Sequence, residues 1–318
     1  MLPVGRADTY LQPGAPDPVL PKDLVLDLAG RFLPDGNNGA DTRFDVDESG
    51  GEARAYMLGS GIVVKTQRPH RLRPRTSLEK EAHVLSLLAG PLAGRIPRLF
   101  GYGREDTAAG PVEFLVMSRI RGCAALHAGL PAREALLASL ADVLRSVHAA
   151  DVTGLRDSGL LPADVDSAAL RGRLQLGFAD ACDGFAAHRD RYAGAGAPER
   201  IAIAAVDALA GLTDESPVLL HSNPGPTHVF VGDGGLCTGL IDFGDAYASH
   251  PALDLRSWPD PADRIVLHEA YTGGRPTTRG FDAVWTVVMI LADLNAMLHR
   301  ADLAEAAGRD LALRLAQL

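Results

Sequence analysis

Four polar features of this chain are spaced so that together they could hold and move a phosphoryl group. Lys65 closes the apolar run Val63-Val64-Lys65, which makes it either a surface lysine at a strand end or a cation pointing into the interior. Glu81 lies three residues after Leu78 and four before Leu85, so it shares their face of a helix, whereas Glu79 does not. A glutamate on an apolar helix face needs a partner, because an unpaired buried charge is costly. Lys65 is the best candidate for that partner. The third feature is His221-Ser222-Asn223-Pro224-Gly225-Pro226-Thr227-His228, set between two apolar segments, and the fourth is Ile241-Asp242-Phe243-Gly244-Asp245. A lysine can meet phosphate oxygens, an aspartate can hold a hard divalent cation, and a loop between strands can orient an acceptor hydroxyl beside them.

The elements that must position these groups follow from pattern. A short helix is expected from Asp23 to about Phe32, after an irregular Pro- and Gly-rich arm over residues 1–22 and before the loop Asp35-Gly36-Asn37-Asn38-Gly39. Thr42 to Val46, Ala53 to Leu58 and Gly61 to Thr66 read as an antiparallel meander around the Ser49-Gly50-Gly51 turn. Thr76-Ser77-Leu78-Glu79 is a capping-box signature for a helix running to about Leu88. Phe114 to Met117 is a short strand. From there the chain turns helical, with Leu136, Leu140, Val143, Leu144 and Val147 forming one stripe over Glu134 to Ala149. Further helices are expected near 166–191, 197–211, 261–271 and 279–298, and short strands at Val218 to Leu220, Val229 to Val231 and Gly239 to Ile241. The fold class is α+β and two-lobed: a small antiparallel-sheet lobe over residues 1–118 and a larger, mainly helical lobe over 119–318.

Spacing then sharpens the chemistry. The catalytic loop of kinases reads His-x-Asp with an asparagine five residues later, followed across a hairpin by Asp-Phe-Gly. Here 223 and 228 keep that interval, and the hairpin leads into Asp242-Phe243-Gly244. The run from Val218 to Leu255 resembles the core of the aminoglycoside phosphotransferase family, which includes hygromycin, macrolide and choline kinases. That family typically shows His-Gly-Asp, a turn, Asn, then Ile-Asp-Phe, and later Gly-Asp-Pro-x-x-Asp-Leu; this chain has Ser249-His250-Pro251-Ala252-Leu253-Asp254-Leu255 in the last place. Phe114 to Gly122 is similar to the family's hinge, Leu144 to Ala149 to its helix ending in a histidine, and Gly50 to Lys65 to its nucleotide-covering hairpin. The resemblance implies a protein-kinase-like fold and transfer of phosphate from ATP or GTP, with Mg2+ or Mn2+, to a hydroxyl of a small molecule such as an antibiotic. By the same resemblance Lys65 would bind the phosphates, Glu81 would position it, and Met117, Ser118 and Arg119 would line the adenine site through their backbone. Tyr56 would contact the nucleotide or simply pack in its strand. Asp242 would hold the metal. Asp254 would brace the catalytic loop, and His148 and His221 would be structural.

Two residues depart from the pattern. His228 stands where the family's asparagine ligand is expected; it could bind a metal directly, through water, or touch a phosphate. Asn223 stands at the general-base aspartate, and an amide cannot accept the acceptor's proton. It is a substitution made to trap a complex, a natural loss leaving a nucleotide- or ligand-binding pseudokinase, or the mark of a kinase-fold enzyme running another reaction. The acceptor itself is expected between the catalytic loop and the helices after about residue 160. There Asp180 and Asp183 could receive a cation or merely form a solvated face.

Composition limits the partners. The net charge of -9 argues against nucleic acid, which would want a basic surface, and suits a cationic small molecule. Cys123, Cys182 and Cys237 are too dispersed for a disulfide framework or a CxxC metal site. The start shows no signal-peptide pattern. The apolar stretch Val284 to Leu298 is interrupted by Asp293 and Asn295 and reads as too short and polar to span a bilayer. A cytoplasmic protein, monomeric or homodimeric, is the expectation.

Overall fold

The computed structural model describes residue 17 and residues 19–33, 43–59, 61–71, 76–108, 110–129, 133–188, 198–213 and 215–318. Most of the expected N-terminal arm, the loop Asp35 to Gly39 and the strand start at Thr42 lie outside these residues. The elements in chain order begin with α1 (Lys22–Gly30), β1 (Phe44–Asp47), β2 (Ala53–Leu58), β3 (Ile62–Gln67), α2 (Leu78–Leu88), β4 (Leu99–Thr107), β5 (Gly110–Ser118) and β6 (Cys123–Ala124). After them come α3 (Arg133–His148), α4 (Thr153–Asp157), α5 (Ser167–Ala187), α6 (Pro198–Asp207), β7 (Val218–Leu220), β8 (Val229–Val231), β9 (Cys237–Leu240) and β10 (Tyr247–Ser249). The chain closes with α7 (Ala252–Leu255), α8 (Pro261–Thr272), α9 (Arg279–His299) and α10 (Ala304–Leu315). One compact unit comprises the chain up to Cys123 with Thr153–Pro162 and Thr238–Ala246; the other comprises Ala124–Val152, Ala163–Cys237 and Tyr247–Leu318.

The first unit is built on an antiparallel sheet ordered β1-β2-β3-β5-β4. Successive side chains of a strand point to opposite faces, and the register sorts them. Tyr56, Leu58, Ile62, Val64, Phe114 and Val116 pack with Val25, Leu28 and Ala29 of α1 on one face. Leu115 packs with Leu78 and Ala82 of α2 on the other. Lys65 pairs across β3 and β5 with Leu115, which puts it on the α2 face.

Two local expectations are corrected here. β4 was not legible, because Gly101 and Gly103 lower its strand propensity. The sheet needs those glycines: a Cβ at Gly101 would lie 2.1 Å from the Phe32 ring, and one at Gly103 2.9 Å from Phe114. With β4 as its partner, β5 extends back to Gly110, well before Phe114. The Thr76…Glu79 capping box does not form. Ser77 is the N-cap and accepts from the Lys80 N–H, while the Thr76 hydroxyl faces Glu52 and Asp245 at 3.0 and 2.7 Å.

In the second unit α3 buries Leu136, Leu137, Leu140, Val143, Leu144 and Val147, as its stripe requires. β7 and β10 pair antiparallel, Leu220 with Tyr247 and Val218 with Ser249. α9 is longer than the apolar stretch read from sequence, and by length and composition alone it could cross a bilayer. Its apolar residues from Val284 to Leu294 are instead buried within the unit, so it is a core helix.

Asp293 interrupts that apolar run for a reason. It is fully buried and accepts from Arg264 Nη1 at 2.8 Å. Burial pushes its carboxyl up to about 7, opposed by Arg264 and reinforced by Asp310. A carboxyl raised above its unfolded value keeps a proton in the folded chain that the unfolded chain gives up. That contribution to stability is therefore lost as pH rises from about 4 to about 7, by roughly 1.4 kcal/mol per pH unit. Asp293→Asn, the neutral isostere, should gain roughly 2–3 kcal/mol on the native chain between pH 5 and 7 and nothing further above. Parallel denaturation curves for the two chains across this range would contradict the assignment.

Candidate active site

The first unit assembles a buried charge triad. Lys65 is 8% exposed and Glu81 0%, and the lysine Nζ lies 2.7 Å from both Glu81 Oε2 and Asp242 Oδ1. Burial works against the ammonium, but the Asp242 and Glu81 carboxylates outweigh it and hold Lys65 above the usual lysine range. Burial pushes Glu81 up, opposed chiefly by Lys65. α2 supplies Glu81 because its apolar face is held against Leu115, and its start is tied down where the Ser77 N–H donates to the Gly244 carbonyl at 3.2 Å. Asp242 has φ 70, a left-handed conformation that aspartate tolerates better than most residues. Its side chain is 40% exposed, so its carboxylate serves Lys65 while still reaching solvent.

Met117 pairs with Val63 and shares the Lys65 face, two residues from Leu115. The amides of Ser118 and Arg119 are already used: Ser118 N–H donates to the Arg98 carbonyl at 2.9 Å and Arg119 N–H to the Gly61 carbonyl at 2.8 Å. Among the described residues the Ile120 N–H has no such backbone acceptor. Tyr56, as a nucleotide contact, is a correction. It is 0% exposed, its hydroxyl accepts the Leu20 N–H at 2.9 Å, and its ring lies against Phe44 on the α1 face, opposite Lys65. It packs the sheet and has no path to a nucleotide held by that lysine.

The second unit fixes the loop after β7. Asp254, fully buried, accepts the His221 N–H at 2.9 Å and the Ser222 N–H at 2.8 Å. Its Oδ2 also lies 3.1 Å from His148 Nε2, and His148 Nδ1 lies 2.9 Å from the Tyr271 hydroxyl. Burial, with Asp254 nearby, pushes Tyr271 up to about 12, so its hydroxyl stays un-ionised. The Asp254 carboxylate can only accept, which places a proton on His148 Nε2. His221 Nδ1 accepts the Asn223 N–H at 3.2 Å. Asp254, His148 and His221 are thus structural, as expected. Tyr271 carried no sequence signal.

Ser222 has φ 77, in the region that favours glycine. The family pattern has glycine there, and a side chain in that conformation is strained. Ser222→Gly should raise stability by about 0.5–1 kcal/mol, after the glycine's own entropy is set against the relief. An unchanged or lowered Tm would contradict this.

Asn223 is exposed. Its carbonyl takes a hydrogen bond from His228 Nδ1 at 2.8 Å, which places the lone pair of the neutral ring on Nε2. The described residues contain no cluster of three or more His, Cys, Asp or Glu able to hold a metal. Asp242 offers one hard carboxylate and His228 an imidazole nitrogen, which suits magnesium poorly. One carboxylate at Asp242 fits a hard cation that arrives with phosphate oxygens and water, not one held by protein alone. Asp180 and Asp183 are exposed on α5, a solvated helix face.

The profile of the phosphotransferase enzyme family (APH) matches residues 44–281. No curated protein matches the sequence. Among solved structures, macrolide 2'-phosphotransferase MphH from Brachybacterium faecium, an apoenzyme, is 23% identical, with 92% of this chain and 97% of that chain covered at a TM-score of 0.58. The GDP complex of wild-type aminoglycoside 2'-phosphotransferase-IIIa is 17% identical, covering 94% and 99% at 0.59. The GDP and kanamycin complex of APH(2'')-IIia is 17% identical, covering 92% and 97% at 0.58. These likenesses carry the kinase-like α+β fold, and the profile spans most of the chain. By fold and by sequence, this chain belongs to the phosphotransferase enzyme family.

Proposed function

We propose that the chain binds a purine nucleoside triphosphate through Lys65 and transfers its terminal phosphoryl group to a hydroxyl of a small molecule, with Asn223 limiting turnover. The observation that carries this reading is the buried Lys65–Glu81 pair with Asp242 on the same ammonium. A lysine held this way offers a fixed cation to phosphate oxygens. The Ile120 N–H would serve the purine ring, since the Ser118 and Arg119 amides are already bonded.

Similar folds have been solved with GDP, with ATP and with kanamycin or streptomycin. That supports a nucleotide co-substrate and an aminoglycoside- or macrolide-like acceptor. Magnesium would supply charge neutralisation across the β- and γ-phosphates. Asp242 would hold it, with His228 Nε2 as a direct or water-mediated second contact. Asn223 would orient the acceptor hydroxyl through its amide oxygen but could not take its proton. Binding without turnover is the second reading, and it too rests on Asn223.

A single carboxylate with phosphate oxygens predicts metal binding that depends on nucleotide. Titrated with Mn2+ and followed by electron paramagnetic resonance, the chain alone should bind weakly. With a non-hydrolysable nucleoside triphosphate it should bind at least about tenfold more tightly than protein or nucleotide separately. Tight Mn2+ binding to the chain alone would count against the reading.

A further inference from the structure

The second unit has a pocket apart from the loop that holds Asn223. Glu215, Pro217, His250 and the start of α5 line it. Pro217 and His250 flank the Val218–Ser249 pair, the end of β7 and β10 away from His221, which follows the Leu220–Tyr247 pair.

His250 is 7% exposed, and its Nδ1 accepts the Ala252 N–H at 3.2 Å. An amide can only donate, so Nδ1 carries the lone pair and the proton of the neutral ring sits on Nε2. Burial, with His148 adding to it, pushes the imidazole down to about 4, so the ring is neutral at physiological pH. Nε2 has no hydrogen-bond partner among the described residues. Glu215 Oε2 is its nearest carboxylate oxygen at 3.7 Å, beyond hydrogen-bond reach. A buried donor left unmet is costly, and a ligand oxygen would meet it.

The other walls narrow what fits. Asp164 is already satisfied by two bonds from Arg173 and one from the Ser249 hydroxyl. Asp166 caps α5 with one oxygen, and the Glu215 side chain is 41% exposed at the rim. Among the described residues no lysine or arginine lines the pocket, so its residual charge is negative. An oxygen set between Nε2–H and Glu215 must accept from one and donate to the other, and a hydroxyl does both. The family pattern carries aspartate at position 250. That residue would also cap Ala252 but would offer no donor.

We propose that this pocket is a second small-molecule site, taking a hydroxylated organic cation whose hydroxyl bridges His250 Nε2 and Glu215 and whose ammonium lies against the Glu215 and Asp166 carboxylates. The proposal concerns binding alone and does not depend on phosphoryl transfer.

Ethanolamine is the minimal probe, with ethylamine and ethylene glycol as its two halves. Titrated into the full chain with 15N-labelled histidine, ethanolamine should shift one imidazole saturably, with a Kd on the order of millimolar for so small a molecule. Ethylamine and ethylene glycol should each bind at least about fivefold more weakly, since each lacks one of the two contacts. His250→Asn keeps a capping oxygen but has no N–H that extends to the position of Nε2, and ethanolamine binding, read by calorimetry because the reporting ring is gone, should be lost. Glu215→Gln, at the exposed rim, should weaken ethanolamine and leave ethylene glycol unchanged. A response that never saturates, that is equal for all three molecules, or that survives in both variants would overturn the proposal.

Discussion

Asn223→Asp is expected to raise phosphoryl transfer by about 10²–10⁴-fold, the usual contribution of a positioned general base. The substitution is near-isosteric, and the loop does not depend on the side chain it changes. The loop's geometry is set by backbone: His221 and Ser222 N–H groups on Asp254, the Asn223 N–H on His221 and the Asn223 carbonyl on His228. A carboxylate at this exposed position costs little desolvation and gains a lone pair able to take the acceptor's proton. Nucleotide affinity should not change, because Lys65, Glu81 and Asp242 belong to the other unit. Steady-state rates over a panel of hydroxyl acceptors, aminoglycosides and macrolides among them, check this. Equal rates for both chains would mean that positioning and metal electrostatics carry the reaction without a base.

Lys65→Met should have the second large effect, in two separable quantities. Removing one preorganised donor to a reacting phosphate costs about 10²–10³-fold in rate, and nucleotide binding should fall with it. Stability should fall as well. Glu81 is 0% exposed, and breaking a buried ion pair by removing one partner costs about 3–5 kcal/mol. Asp242 adds little to that figure, because its side chain is 40% exposed and solvent-screened. Burial already pushes Glu81 up, and without Lys65 nothing comparable opposes it. A carboxyl so raised loses stability as pH rises, so the variant should be least stable at high pH. Lys65→Met with Glu81→Gln should recover most of the stability and none of the nucleotide binding. Recovery of both would make the pair structural only.

These predictions rest on features that differed in how legible they were. Glu81 was readable because a carboxylate at helical spacing among leucines must have a buried partner, and β3 offered one lysine. The braced loop was readable from the interval between 223 and 228 and from Asp254. Tyr56 stayed open between nucleotide contact and packing because alternation tells which residues share a face but not which face carries Lys65; that comes from the pairing of Lys65 with Leu115. Which hinge amides are free to meet a ligand was hidden for a similar reason, since only the folded chain shows that those of Ser118 and Arg119 are already bonded. β4 hid behind glycines that exist to admit Phe32 and Phe114. Asp293 read as a mere interruption of an apolar stretch, because Arg264, its partner, is 29 residues away in sequence. The pocket at His250 left a trace in the sequence, a histidine where the family pattern has aspartate, but its unmet donor shows only in three dimensions.

The central claim is that the phosphate-binding machinery of this chain is intact while its catalytic base is missing. Calorimetric titration of the unaltered chain with a non-hydrolysable ATP or GTP analogue and Mg2+ tests it most directly, with Lys65→Met as the control. The account predicts saturable, one-to-one binding to the unaltered chain and to Asn223→Asp with equal affinity, lost in Lys65→Met. Absence of binding to the unaltered chain, or undiminished binding to Lys65→Met, would contradict it.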